Sequence, residues 1–187
     1  MSIMMDIESQ LAQRILAERG ARRWSLADLA ERSGVSRAML SKIERKEASP
    51  TATVLARIAD AFSVTLAELL TPPAEDAPRL LRAADQPVWT DPATQYRRRQ
   101  VYLSTRLPLE LVEVDLPSGA EVALAASSYR HIRQVLWLIE GRLTLIEGGQ
   151  ATELAAGDRL EFGEPADCVF RNESEATCHY LVAVLRS

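Results

Sequence analysis

The sequence predicts an α+β chain in two unlike parts, an all-α bundle of five short helices followed by an all-β barrel or sandwich. Three observations carry this. Apolar residues recur at helical spacing up to about residue 70, and a proline-broken stretch then interrupts them. From about Arg99 the pattern switches to short alternating strands separated by turn signals.

The elements follow in order. Ile7, Leu11 and Ile15 recur at i, i+4 and i+8, the signature of one helical face. Ser25, with Asp28 three residues on, resembles a capping arrangement ahead of "LADLAERSG", and Ser36 can cap "RAMLSKIERKE". Thr51 or Thr53 can start "VLARIADAF", and Thr65 can cap "LAELL". The run "TPPAEDAP" then stops any helix and stiffens a linker, which the reading extends over residues 71–98. Within that linker, "RLLRAADQPVWTDPATQYRRRQV" reads as linker followed by an edge strand, and its arginines 97–99 as a solvated face. Five strand candidates come next: "LELVEVDL", "VLWLIEG", "RLTLI", "DRLEF" and "HYLVAVL", divided by "PSG", "EG", "EGGQ", "AAGD", "EPAD" and "NESE". Short strands with a turn every 8 to 12 residues or so suggest a sandwich or barrel.

Composition limits the partners. With 47 % hydrophobic and 26 % charged residues among 187, the chain can bury an ordinary core. No apolar run approaches a membrane span, and "MSIMMDIESQ" lacks the regions of a secretory leader, so a cytoplasmic protein with no membrane partner is expected. Two cysteines, Cys168 and Cys178, are too few for a disulfide framework and read as buried free thiols. Net charge is −4, unevenly spread: residues 1–70 hold 10 Lys/Arg against 9 Asp/Glu, whereas residues 107–187 hold 6 against 13. The acidic back half repels DNA, so any DNA contact belongs to the front.

In the front half, Leu29 and Ala30 stand where a first helix must pack closely, Gly34 stands at the turn, and Val35, Leu40 and Ile43 lock a second helix onto the first. The stretch "SLADLAERSGVSRAMLSKIERKEASPTATVLARIADAFSVTLAELL" resembles the lambda-repressor-like helix-turn-helix domain of the XRE family, over about residues 8–70. On that likeness Arg37, Ala38, Ser41 and Lys42 occupy the recognition-helix positions that reach base edges, with Arg37 or Lys42 suited to guanine. Ser36, Arg45 and the amide at the start of the Ser25 helix are placed to meet phosphates. Lys46 stands where the family often has glycine after "IER", so the turn there is expected to differ. Glu44, among basic residues, is expected to pair internally.

The strand-rich domain, residues 99–187, resembles a cupin, a double-stranded β-helix barrel, over roughly residues 105–187. Metal-binding cupins carry two signatures, G-x5-H-x-H-x3-4-E-x6-G and G-x5-P-x-G-x2-H-x3-N. The second lies on Gly157 to Asn172 without a gap, which puts Gly163 at the proline, Pro165 at the glycine and Cys168 at the histidine. Anchoring the first on Gly141 puts Gln134 at the glutamate, with Arg130 and Ser128 at the histidines. Every ligand position has changed, so neither metal nor cofactor is expected. Strand alternation places Ser128, Arg130 and Gln134 on one face and His131 on the other, and His179 off the lumen. These residues with Cys168 read as a polar, cationic pocket flanked by Tyr129 or Trp137, in which Arg130 would clamp a carboxylate, sulfate or phosphate. A plainer reading pairs Arg130 with Glu161 and leaves the barrel to hold two chains together.

The function expected is therefore a non-enzymatic transcription regulator. The resemblance implies a homodimer on double-stranded operator DNA, with a small anionic or amino-acid-like effector in the barrel. A metal-dependent enzyme fused to a DNA reader, and an architectural binder with an empty barrel, stand as alternatives. No nucleophile and base occur at a recognisable spacing.

Overall fold

The computed structural model describes residues 7–71, 79–104 and 107–186. The "TPPAEDAP" linker falls almost wholly outside the described residues. The chain forms two compact units, one up to residue 72 and one from residue 73.

Among the described residues the first unit is the expected set of five helices: α1 (Ile7–Ala21), α2 (Leu26–Ser33), α3 (Arg37–Glu44), α4 (Ala52–Phe62) and α5 (Leu66–Leu70). Local chemistry fixes the ends. Ser25 Oγ accepts from the Asp28 amide while Asp28 Oδ2 accepts from the Ser25 amide at 2.7 Å, closing a capping box on α2. Those bonds, the Ser25 backbone N–H first, hold the Asp28 carboxyl below its ordinary pKa. Thr51 rather than Thr53 caps α4, and Thr65 with Glu68 forms a second box on α5. Leu11, Ile15, Leu29, Leu40, Leu55 and Ile58 are fully buried between the helices. Each such side chain contributes about 1.5–3 kcal/mol of burial. A second tie crosses the bundle: Trp24 stacks on Phe62 at 5.8 Å, with the Arg32 guanidinium 4.4 Å from the Trp24 ring centre.

The second unit is richer in strands than the sequence suggested. Among the described residues its ten are β1 (Val88–Thr90), β2 (Arg97–Leu103), β3 (Leu109–Leu116), β4 (Glu121–Leu124), β5 (Ile132–Glu140), β6 (Arg142–Glu147), β7 (Gln150–Ala155), β8 (Arg159–Glu161), β9 (Cys168–Arg171) and β10 (Cys178–Arg186). They form a six-stranded sheet, β1-β2-β3-β10-β5-β8, and a four-stranded sheet, β4-β9-β6-β7. Without β1 and β2, this is the eight-stranded jelly-roll order of a cupin barrel. β1 lies inside the stretch read as linker, so the strand-bearing part begins at or before Val88.

Side-chain alternation packs the two inner faces together. Val112, Val114, Leu136, Leu138, Leu143, Leu145, Phe170 and Tyr180 are buried. A file of rings runs through the interior: Tyr129 on Phe162 (6.0 Å), Phe162 on Phe170 (6.2 Å), Phe170 on Tyr180 (6.2 Å). Gly141 makes the β5–β6 turn at φ +86°, and a Cβ there would sit 2.9 Å from the Cys178 Cα, so only glycine fits. Asn172, wholly buried, donates to the Leu116 and Ala176 carbonyls and accepts from Ser174, so its place in the second cupin signature is one of turn architecture.

The arginine run divides by face. Arg97 pairs with Asp115 and Arg99 with Glu113 across the β2–β3 ladder, both at 2.8 Å, whereas Arg98 stands at the opposite parity, across from the buried Val114. The expected solvated face is thus a cross-strand ion-pair lattice, and His179 joins it through Asp115 at 2.7 Å and Glu113 at 3.2 Å. Burial raises the Asp115 pKa, but hydrogen bonds from His179 and Arg97 outweigh that and hold it below the ordinary value. His179 therefore lies on the outer face of the sheet.

Candidate functional site

The helix-turn-helix is built by caps on both sides of one turn. α2 ends on Gly34 at φ +66°, a conformation that puts a β-carbon under strain, and its N–H returns to the Ala30 carbonyl. Two residues later Ser36 Oγ accepts from the Met39 amide at 3.2 Å and starts α3. Leu40, Ile43 and Val35 are buried, which seats α3 on α2 with one face outward.

That outward face is the one expected. Arg37, Ala38 and Lys42 are exposed, Ser41 is half-buried beside them, and Ser25, Ser36 and Arg45 are exposed at the helix ends. Arg45 Nη2 lies 2.9 Å from Glu47 Oε2, an exposed pair whose contribution of about 0–1 kcal/mol leaves the guanidinium free to exchange partners. Glu44 is turned inward. Its carboxylate takes a two-pronged contact from Arg19, Nε to Oε1 at 2.8 Å and Nη2 to Oε2 at 3.0 Å, which ties α3 to α1. The carboxylate in turn raises the Arg19 pKa.

Lys46 does replace a glycine in the geometric sense. It stands at φ +62°, its N–H reaching the Ile43 carbonyl and that of Glu47 the Lys42 carbonyl at 2.8 Å. This is a Schellman closure, in which the left-handed residue is normally glycine.

In the barrel the alternation argument holds for Gln134 and fails for its neighbours. β5 begins at Ile132, so Ser128 and Arg130 precede it in a single 3-10 turn, Ala126–Tyr129, with Arg130 just past its end. A turn does not alternate faces. Arg130 is exposed and Ser128 half-buried, neither lines the cleft beside Gln134, and no ion pair of Arg130 with Glu161 forms. The guanidinium clamp drawn from strand parity is corrected accordingly. Trp137 faces outward, 49 % exposed, and His131 is exposed as expected.

The cleft itself is lined by Tyr129, Ile132, Arg133, Gln134, Glu147, Phe162 and the 163–166 turn, and spans about 250 Å³ including space open to solvent. The enclosed part of it is only about 10 Å³, close to what one water molecule needs, so a larger ligand enters only as the lining side chains move. Two of the cleft's lining residues carry a buried, unpartnered polar atom, the Tyr129 hydroxyl and Gln134 Nε2. Tyr129 is only 7 % exposed, and burial pushes its pKa well above the ordinary phenol value. Its hydroxyl lies beside the Cys168 thiol without a hydrogen bond of ordinary geometry. Glu147 shares the parity of the buried Leu143 and Leu145 on β6, and its Oε1 accepts from the Gly163 amide at 3.0 Å. Arg133 and Glu164 stand at the rim, 3.9 Å apart.

Cys168 backs this wall, buried, its Sγ on the Ala166 carbonyl at 3.5 Å. Burial pushes its thiol up to about 11, and that of Cys178 likewise to about 11. Neutral thiols of this kind are poor nucleophiles and poor metal ligands. A catalytic cupin metal needs three or four imidazole, carboxylate or thiolate donors on one face. Gln134, Glu147, Cys168 and Tyr129 supply one carboxylate and no imidazole, and among the described residues no three His, Cys, Asp or Glu side chains converge. The donor set does not fit a metal.

Sequence reasoning missed Glu147 and underrated Tyr129. Parity along "RLTLIE" was the available signal for Glu147.

Comparison with known proteins agrees with this architecture. The helix-turn-helix family model HTH_3 matches residues 15–69. The HTH-type transcriptional regulator SutR of Escherichia coli (strain K12) is 30 % identical over 162 residues, 87 % of this chain and 86 % of that one. The crystal structure of an HTH_3 family transcriptional regulator from Vibrio cholerae superposes with a TM-score of 0.79, covering 97 % of both chains at 22 % identity. The FeII HppE crystal structure shares the fold more distantly, at TM-score 0.51 and 18 % identity over 96 % of this chain and all of that one. Among the described residues no helix is long and apolar enough to cross a membrane.

Proposed function

The chain belongs to the XRE-type helix-turn-helix transcription regulators, the family of its SutR relative, and from that premise we propose a cytoplasmic, effector-responsive, sequence-specific DNA binder that works as a homodimer. The observation that carries the DNA reading is α3 itself: capped at Ser36, pinned by Leu40, Ile43 and Glu44, with Arg37, Ala38 and Lys42 left outward. Arg37, Ala38, Ser41 and Lys42 meet base edges in the major groove, while Ser36, Arg45 and the Ser25 end of α2 meet phosphates. One helix of eight residues reads one half-site, so two copies read half-sites about 34–36 Å apart.

The barrel is the sensor and not an enzyme. Its orphaned Tyr129 hydroxyl and Gln134 amide offer donors to a carbonyl or carboxylate, Arg133 stands ready at the rim, and Glu147 accepts from an amine. Two carboxylates and one guanidinium around one cleft disfavour a simple anion and favour a small zwitterion. Of the two effector classes the sequence suggested, the amino-acid-like one is the better match. Its binding shifts the population between states of different DNA affinity.

A thermal-shift screen of free amino acids, fatty-acid-free carboxylates and inorganic sulfate and phosphate tests the sensor. A zwitterion at 100 times its dissociation constant raises stability by about 2.7 kcal/mol. Stabilisation by sulfate or phosphate alone would restore the anion reading, and no shift with any compound would leave the architectural binder.

A further inference from the structure

The outer face of the six-stranded sheet has a composition that the functions above do not use. On it β10 presents Leu181, Ala183 and Leu185, β5 presents Val135 and Trp137, and β3 presents Leu111. Trp137 is 49 %, Leu185 52 % and Val135 37 % exposed. The other sheet differs sharply: its outward positions include Glu121, Arg142, Thr144, Glu153 and Arg171. β10 lies between β3 and β5, and its "YLVAVL" is apolar at every position, the pattern of a strand covered on both faces. Only its inward residues, such as Tyr180, Val182 and Val184, are buried within the chain.

The charges bordering this patch are arranged for a particular partner. In the ladder Arg159 stands beside Trp137 and Glu161 beside Val135. Both β8 residues are exposed, and neither forms an ion pair among the described residues. A two-fold axis lying across the strands between the Val135 and Trp137 rows sets Arg159 of one copy opposite Glu161 of the other, and does so twice. An isologous contact needs that self-complementarity. Three strands about 4.8 Å apart and three rows about 7 Å apart give nine outward positions over roughly 300 Å², all apolar but Glu113 and Arg133 at opposite corners. With Arg133, Arg159 and Glu161 on one side and the Glu113 cluster with Arg99 and His179 on the other, it has the apolar centre and polar rim of a protein interface.

We infer that this sheet face is where a second copy of the chain packs, Trp137 at its centre and Arg159 and Glu161 crossing over at its edge. The inference rests on the homodimer reading and gives it a surface.

Sedimentation of the full chain across micromolar concentrations tests it. The wild type sediments as a dimer, and Trp137→Lys raises the dissociation constant on the order of 30-fold or more, as removal of a central tryptophan does. Leu185→Lys weakens the dimer as well and serves if Trp137→Lys folds poorly, while Thr144→Lys on the other sheet leaves it unchanged. Arg159→Glu weakens it several-fold, and Arg159→Glu with Glu161→Arg restores it. If the wild type is a dimer that neither lysine variant weakens, the face is wrong and the dimer stands. A wild type monomeric throughout overturns both, and a monomer that instead co-sediments with anionic vesicles reassigns the face to lipid.

Discussion

The helical unit and the barrel keep their chemistry in opposite places. On α3 the informative residues are the exposed ones, because Leu40 and Ile43 are buried and the cations beside them have been left outside. In the barrel the informative atoms are the buried ones, the Tyr129 hydroxyl and Gln134 Nε2, which lack partners. Under the proposed function the difference follows from the ligands. A polyanion is met on a convex surface, where long cationic side chains stay solvated until counterions leave. A small molecule is met in a cleft, where each polar atom withheld from water waits for a specific replacement.

Five substitutions break or sharpen this contrast, in falling order of expected effect. Leu40→Ala removes the underside of α3 and destabilises the helical unit by about 3 kcal/mol. Chemical denaturation followed by far-UV circular dichroism measures it, and operator binding falls in parallel, whereas a barrel cavity would leave DNA affinity intact. Arg37→Ala costs about 2 kcal/mol on operator and little on random DNA, because it removes a base contact. Arg45→Ala lowers affinity for both equally and reduces the salt slope by about one, the mark of a phosphate contact. Fluorescence anisotropy on the two DNAs at several salt concentrations separates these outcomes, and an unchanged specificity ratio for Arg37→Ala removes it from the base-reading set.

Tyr129→Phe probes the barrel from the opposite direction. Deleting a buried hydroxyl with no partner stabilises the unliganded protein by about 1 kcal/mol and abolishes stabilisation by effector. Loss of stability on this change would mean that the hydroxyl is satisfied in the resting protein. Lys46→Gly is the gentlest. It relieves a left-handed residue at the Schellman closure and raises the melting temperature by the equivalent of about 0.5–1 kcal/mol, with DNA affinity unchanged.

The same contrast explains what the sequence revealed. Caps and turns in the helical unit depend on neighbours within four residues, so Ser25 with Asp28, Ser36 and Gly34 were readable in place, whereas the partner of the inward Glu44, Arg19, lies 25 residues away and was not. The barrel's pairings are distant: β4 meets β9 fifty residues on, and such short strands leave little periodicity to read. Strand parity was right for Gln134 and His179, which lie inside strands. It was wrong for Ser128 and Arg130, because the rule was extended past the point where β5 begins and a 3-10 turn takes over. Glu147 obeyed parity but was hidden by the adjoining "EGGQ" turn. Cys168, placed at a vanished ligand position, is a buried thiol that backs the wall, and burial keeps it protonated.

The most direct measurement of the central claim joins the two halves in one titration. Operator obtained by selection from random DNA is bound by the full chain, and its dissociation constant is measured with and without each of a panel of free amino acids. At least one zwitterion shifts that constant by about 5- to 150-fold in the wild type, the usual span of allosteric coupling, and by nothing in Tyr129→Phe. A constant that no compound moves, or that moves equally in both proteins, contradicts a barrel that senses through Tyr129 and reports through α3.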